Sequence, residues 1–159
     1  MRLCEKSIMA ARFRRKTVGS VTSASGIFGE LDRAIARLIV SRADLGESEV
    51  PVLGSVFSDD EWVLVTTLRV VISREGQIRS VSNTDIRDLP VASIRWDAQS
   101  DLFNCRLTHV SLETFSGEQY ELHVQPDVFL GVFSVLHMIA DENWRERGRE
   151  NVNPKWEFS

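Results

Sequence analysis

The sequence predicts an α+β fold, with about seven antiparallel strands, one helix before them and a long helix after them. Three observations carry this prediction. Trp62 to Leu89 alternates in steps of two and is broken by short polar turns. Val110 to Val124 repeats that alternation around Ser116-Gly117. Phe129 to Ala140 switches to helical spacing, with an apolar stripe at 129, 132, 133, 136, 139 and 140.

Residues 1–25 show no clear period. Leu3, Ile8, Met9 and Phe13 can share a helix face, but Val18 to Ser25 is small and polar, like a linker. These residues are expected to form a basic arm, mobile over its first dozen positions. The folded domain is expected to span residues 26–148, followed by a tail at 149–159.

A first helix is predicted from Ser25, as N-cap, to Gly46, as C′ residue. Ile27, Phe28, Leu31, Ala34, Ile35, Leu38 and Ile39 form its apolar face. Glu47 to Pro51 connects it to a strand at Val52–Phe57, and Ser58-Asp59-Asp60-Glu61 makes an acidic loop.

Trp62 to Leu89 then reads as three strands and a turn of helix. Trp62, Leu64 and Thr66 alternate with Val63 and Val65, and both sets suit a strand. Leu68, Val70 and Ile72 alternate with Arg69, Val71 and Ser73. Arg74-Glu75-Gly76 is a hairpin loop needing a residue at positive φ. Gln77 to Ser82 is a more polar strand, and Ser82 to Asp85 caps a short turn that Pro90 ends. Val91 to Trp96 is another strand, and Asp97 to Asp101 a loop.

The next hairpin is read with a three-residue loop, Ser116-Gly117-Glu118. That register sets Leu112 opposite Leu122, Val110 opposite Val124 and Thr114 opposite Tyr120, so one face is apolar. His109, Ser111, Glu113, Gln119, Glu121 and His123 fall on the other face, with the histidines diagonal and the two glutamates opposed. Pro126 and Asp127 open the last helix. Val128, Leu130, Val135 and Met138 widen its stripe beyond one packed face, and Arg145, Arg147 and Gly148 suit its end. Trp156 and Phe158 in the tail are expected to fold back onto the domain.

The chain of 159 residues can bury roughly 70% of its unfolded surface without disulfides or metal. Apolar residues make 43% and charged residues 26%, as in ordinary globular proteins. No apolar run approaches the roughly 20 residues of a membrane span. Cys4 and Cys105 form neither a disulfide framework nor a zinc pattern, which points to a reducing, cytoplasmic setting.

The net charge of −4 is unevenly placed. Residues 1–20 hold six basic side chains against one acidic, or +5, and the other 139 carry 13 basic and 22 acidic, or −9. An acidic body repels nucleic acid and anionic membrane and suits a basic partner surface. The Arg-rich start also has the composition of a transit peptide; it lacks the apolar core of a secretory signal.

A family resemblance rests on Leu64-Val65-Thr66-Thr67-Leu68-Arg69-Val70-Val71-Ile72, then Gly76, then Ser82 to Leu89. A strand ending in Thr, a turn, a basic residue, an apolar strand and a polar turn with Asp-Ile resembles the bacterial pleckstrin-homology-like (PH-like) domains, over residues 50–147. The resemblance implies a bent, partly open β-barrel capped by the last helix. The predicted N-terminal helix is extra to that core. The family's phosphoinositide binders carry basic residues on the first hairpin loop. Here that loop is Ser58-Asp59-Asp60-Glu61, whose charge is wrong for a phosphate cradle.

None of GxGxxG, GxxxxGK, HExxH, GxSxG or CxxC occurs. His109 and His123 lie close enough on one face to touch or share a metal, but a solvated strand face is the plainer reading. Asp59, Asp60 and Glu61 lack the further oxygens of a calcium site. His137 reads as a boundary residue. Cys105 reads as a small strand side chain. Arg12-Phe13-Arg14-Arg15-Lys16 reads as a solvated basic cluster. Trp62, Trp96, Trp144 and Trp156 are core candidates, and any that stand exposed beside the last helix become interface anchors.

These features together lead to the expectation of a non-catalytic bacterial protein-binding module without cofactor or metal. Within that class an immunity protein, neutralising a toxin by covering its basic surface, fits best. Asp59, Asp60, Glu61, Glu113, Glu121, His109 and His123 are the expected contacts. A peripheral lipid-binding module using the basic arm is the alternative, and an enzyme with a His/Glu metal site on the hairpin is a third reading.

Overall fold

A computed structural model of the chain describes residues 5–16, 24–90, 95–96 and 107–148. Over these residues the fold is α+β, built from two antiparallel sheets and three α-helices. The first sheet is a five-strand meander: β1 (Ser25–Ile27), β2 (Pro51–Ser58), β3 (Glu61–Thr66), β4 (Arg69–Arg74) and β5 (Gln77–Ser82). The second contains β6 (Ile86–Asp88), β7 (Arg95–Trp96), β8 (Leu107–Thr114) and β9 (Gln119–His123). β9 takes one edge of β8, and β6 and β7 share the other. The described strands number nine, against about seven expected, and among the described residues no hydrogen-bonded ladder closes the two sheets into a barrel.

The centre of the first sheet is buried on both faces, which explains why both alternating sets of β3 and β4 are apolar, while β5 at its edge is mostly exposed. Trp62, Leu64 and Val71 pack with Leu31, Ile39 and Ala43 beneath α2 (Arg33–Ala43). Val63, Val65, Val70 and Ile72 face the larger core, shared with the second sheet and α3 (Phe129–Glu146). A Cβ added at Gly54 would sit 3.0 Å from Leu31 Cδ1, so the helical layer approaches β2 closely because that position lacks a side chain.

The predicted first helix starts seven residues later than the sequence pattern suggested, at Arg33 with Asp32 as its N-cap rather than Ser25. Ser25 belongs to β1, where its hydroxyl lies 3.0 Å from that of Ser55, and Gly26 is at φ 136°, outside helical geometry. The N-cap is Asp32, whose carboxylate accepts from the Ala34 and Ile35 N–H groups at 2.9 and 3.4 Å. At the other end Asp44, at φ 51°, takes the left-handed position expected for Gly46. The apolar spacing continued upstream because Ile27, Phe28 and Leu31 are covered in either conformation.

The basic arm is also corrected over its helical part. Lys6–Lys16 forms α1, which packs on α3. Met9 and Phe13, one turn apart, are fully or almost fully buried in the main core. α1 also accounts for the wide stripe of α3. Val128 and Val135 are buried and Met138 is packed against the core, while Leu130 remains 58% exposed.

The β4–β5 hairpin has the two-residue turn Glu75-Gly76, at φ 52° and 78°, between paired Arg74 and Gln77. The β8–β9 register differs from expectation by two residues. Leu112 opposes Tyr120, Val110 opposes Leu122 and His109 opposes His123. The loop is Phe115-Ser116-Gly117, closed by Thr114 N–H to Glu118 O at 3.0 Å. Gly117, at φ 92°, takes the third loop position, where this turn requires a left-handed residue. A two-residue shift preserves which side chains face the core.

The second sheet and α3 are joined by side-chain to backbone bonds. Asn143 Nδ2 donates to Asn83 O and Ile86 O at 2.7 and 2.8 Å, and Trp144 Nε1 donates to Arg87 O at 2.9 Å. Ile86 lies in β6 rather than in the predicted helical turn. Residues 91–94, Asp97 to Asp101, Cys4, Cys105, Trp156 and Phe158, about which the sequence carried expectations, lie outside the described residues.

Candidate functional site

The β2–β3 ladder slips by one residue between its Val56–Trp62 and Ser58–Glu61 pairs. Phe57 is the extra residue of this bulge. A bulge re-aims a side chain, and Phe57 stands 39% exposed beside the buried run of β2. Its ring stacks on His123 of β9, with centroids 3.9 Å apart and planes within 12°. His123 stacks in turn on His109 of β8, at 4.2 Å and 9°. Three rings thus form one column across both sheets.

Glu61 closes the edge of this column, with Oε1 2.6 Å from His123 Nδ1. Thr108 Oγ1 lies 2.7 Å from His109 Nδ1. The structure therefore joins Glu61, His109 and His123, three of the expected contacts, and brings Asp59 and Asp60 alongside by chain connection. The histidines are direct cross-strand partners rather than diagonal ones because of the corrected register.

Other expected contacts are engaged within the chain. Arg42 reaches from α2 to the Asp59 carbonyl and lies 3.5 Å from Asp60 Oδ1. Glu121 lies 3.4 Å from Arg74 rather than opposite Glu113, because its cross-strand partner is Ser111. Glu113 accepts from Gln119 Nε2 at 3.2 Å. Part of the negative charge read from the sequence is thus balanced internally.

The neighbouring cleft, ≈ 290 Å³, lies where β9 crosses the β4–β5 hairpin. Arg79 covers the Tyr120 ring there, 4.4 Å from its centroid. The Tyr120 hydroxyl donates to Glu118, and this bond, with burial, raises the phenol above its ordinary value. This is a satisfied corner, with the arginine charge placed over a ring.

Parallel rings hold their in-plane nitrogen lone pairs side by side, so His109 and His123 do not converge on one metal ion. Among the described residues no three His, Cys, Asp or Glu side chains gather as metal ligands. Trp62 and Trp144 are buried core residues, not exposed anchors. In the basic cluster, Arg12 donates to Ser134 at 2.7 Å and Arg14 pairs with Glu30 at 2.7 Å. His137 is half-buried on α3, 3.4 Å from Asp141. No described helix is long and apolar enough to cross a membrane.

Phe57 is the residue the sequence reading missed. Its one signal is an apolar ring immediately before Ser58-Asp59-Asp60, where a strand must end. Comparison with protein-family models, curated proteins and solved structures finds no match for this chain.

Proposed function

We propose that this chain is a non-catalytic module that binds the basic surface of a protein partner. The Phe57–His123–His109 column beside the Asp59-Asp60-Glu61 turn is the observation that carries this reading. A partly exposed aromatic ring framed by carboxylates suits an arginine-rich surface. A guanidinium can lie on the ring face while a neighbouring carboxylate takes its N–H groups. An aromatic anchor with a polar surround is also the usual arrangement of a binding hot spot.

Within this class the best reading is a cytoplasmic immunity protein that covers the basic site of a bacterial toxin. The two sheets and terminal helix support a PH-like, partly open barrel as its frame. That fold class does not define a chemistry, so the role rests on the surface.

Affinity capture from the native host, at low and moderate salt, tests the reading. The expected result is a basic polypeptide retained at low salt and released as salt rises. Phe57→Ala should weaken a reconstituted complex about thirtyfold, and Glu61→Lys should weaken it as well. An acidic partner, or binding indifferent to salt and to both substitutions, would overturn the proposal.

A further inference from the structure

The outer flank of α2 carries the opposite chemistry. Phe28, Ala36 and Val40 floor an open groove of ≈ 540 Å³, bordered by Arg33, Arg37 and Ser41. Val40 is 36% exposed although it lies one residue from the fully buried Ile39. The 33–43 segment contains three arginines and no acidic residue. Arg42 is turned to the β2–β3 turn, while Arg33 and Arg37 make no ion pair among the described residues. The Ser41 hydroxyl is already committed to Leu38 O at 2.8 Å.

We propose that this groove docks an amphipathic helix with acidic flanks. Positions 33, 36, 37 and 40 follow the i, i+3, i+4, i+7 rows that form ridges and grooves on a helix. A second helix laid along them places its own apolar row on Ala36, Val40 and Phe28. Glu or Asp beside that row then reaches Arg33 and Arg37. Charge complementarity selects the acidic helix: a basic or neutral one leaves both guanidinium groups without a partner as water is excluded. An inorganic phosphate satisfies the arginines but leaves the apolar floor wet. A membrane surface favours a broad basic face, whereas here Arg33 and Arg37 border an apolar floor of Phe28, Ala36 and Val40. The groove is separate from the Phe57 column, so the two proposals stand or fall independently.

The test is selection of helical peptides from a surface-randomised display library against the full chain. Selected peptides should carry apolar residues at i, i+3 or i+4, and i+7, flanked by Asp or Glu. Arg33→Glu with Arg37→Glu, and separately Val40→Asp, should weaken the best peptide at least about tenfold. The first variant should regain binding to that peptide with its flanking acids changed to Lys. All substituted side chains are exposed, and unchanged melting temperatures confirm the fold. Absence of enrichment, enrichment of basic peptides, or equal binding to the variants would overturn the proposal. So would binding to phosphatidylglycerol vesicles that the same substitutions abolish without peptide binding, since the face would then be a lipid surface.

Discussion

Glu49 is a buried carboxylate held by three donors. Thr66 Oγ1 and Arg69 Nε reach Oε1 at 2.7 and 2.8 Å, and Gly46 N–H reaches Oε2 at 3.1 Å. Arg69 also donates to Ala43 O and Asp44 O at the end of α2, tying helix to sheet. Burial pushes the carboxyl up, but bonds from Arg69, Thr66 and Gly46 outweigh it and hold it below its ordinary 4.5. The stabilisation is therefore present above 4.5 and lost as pH falls through the lower folded value. Glu49→Gln should destabilise by about 1–3 kcal/mol at pH 7. Denaturant melts of both proteins should converge in acid; a constant gap would refute the argument. Asp141 behaves in the opposite sense. Burial raises it above 3.8, although His137, Arg145 and Arg12 oppose the rise, and Asp88 adds to it. Its contribution is present below 3.8 and lost as pH rises through the raised folded value. Asp141→Asn should raise the melting temperature at pH 7, with the gain fading in acid; a lower melting temperature at pH 7 would contradict it.

At the scale of elements, the hairpins show how turn chemistry sets register. Glu75 holds φ 52° without being Gly or Asn, and its neighbour Gly76 is at φ 78°. Glu75→Asn should stabilise the chain by about 0.5–1 kcal/mol, because Asn tolerates that backbone better. Equilibrium unfolding checks the sign. In the β8–β9 loop, the required left-handed residue decides which three residues turn. Assigning Gly117 to the middle of the loop therefore moved every pair by two. α1 illustrates a different limit. Its apolar residues Met9 and Phe13 lie among charged ones, so local spacing permits a helix face without requiring its burial. Phe13→Ala should cost about 3–5 kcal/mol, read as a lower urea midpoint at unchanged slope. A midpoint within error of the parent would mean that α1 contributes nothing to the core.

At the scale of the molecule, α2, the first sheet and the shared core with α3 form successive layers. Each layer leaves an apolar face that the next must cover. Deleting residues 1–16 should uncover the flank of α3 around Ser134 and Met138, which faces α1. The shortened chain is expected to melt lower and to bind a hydrophobic dye; unchanged melting without dye binding would show that α1 is dispensable. The Phe57 column also belongs to this scale, since its rings come from β2, β9 and β8. No local pattern signals that residues 57 and 123 will stack.

The sequence by itself determined the α+β class, the strands from Trp62 to Ser82, the inner and outer faces of the last hairpin, and the final helix. These follow from side-chain period and backbone preferences, which act within a few residues. Only the tertiary structure decided that Ser25 starts a strand, that Met9 and Phe13 enter the core, and that a bulge turns Phe57 onto His123. In each of these cases the local pattern suited more than one conformation. The choice was made by a distant surface: β2 for Ser25, α3 for α1 and the second sheet for Phe57.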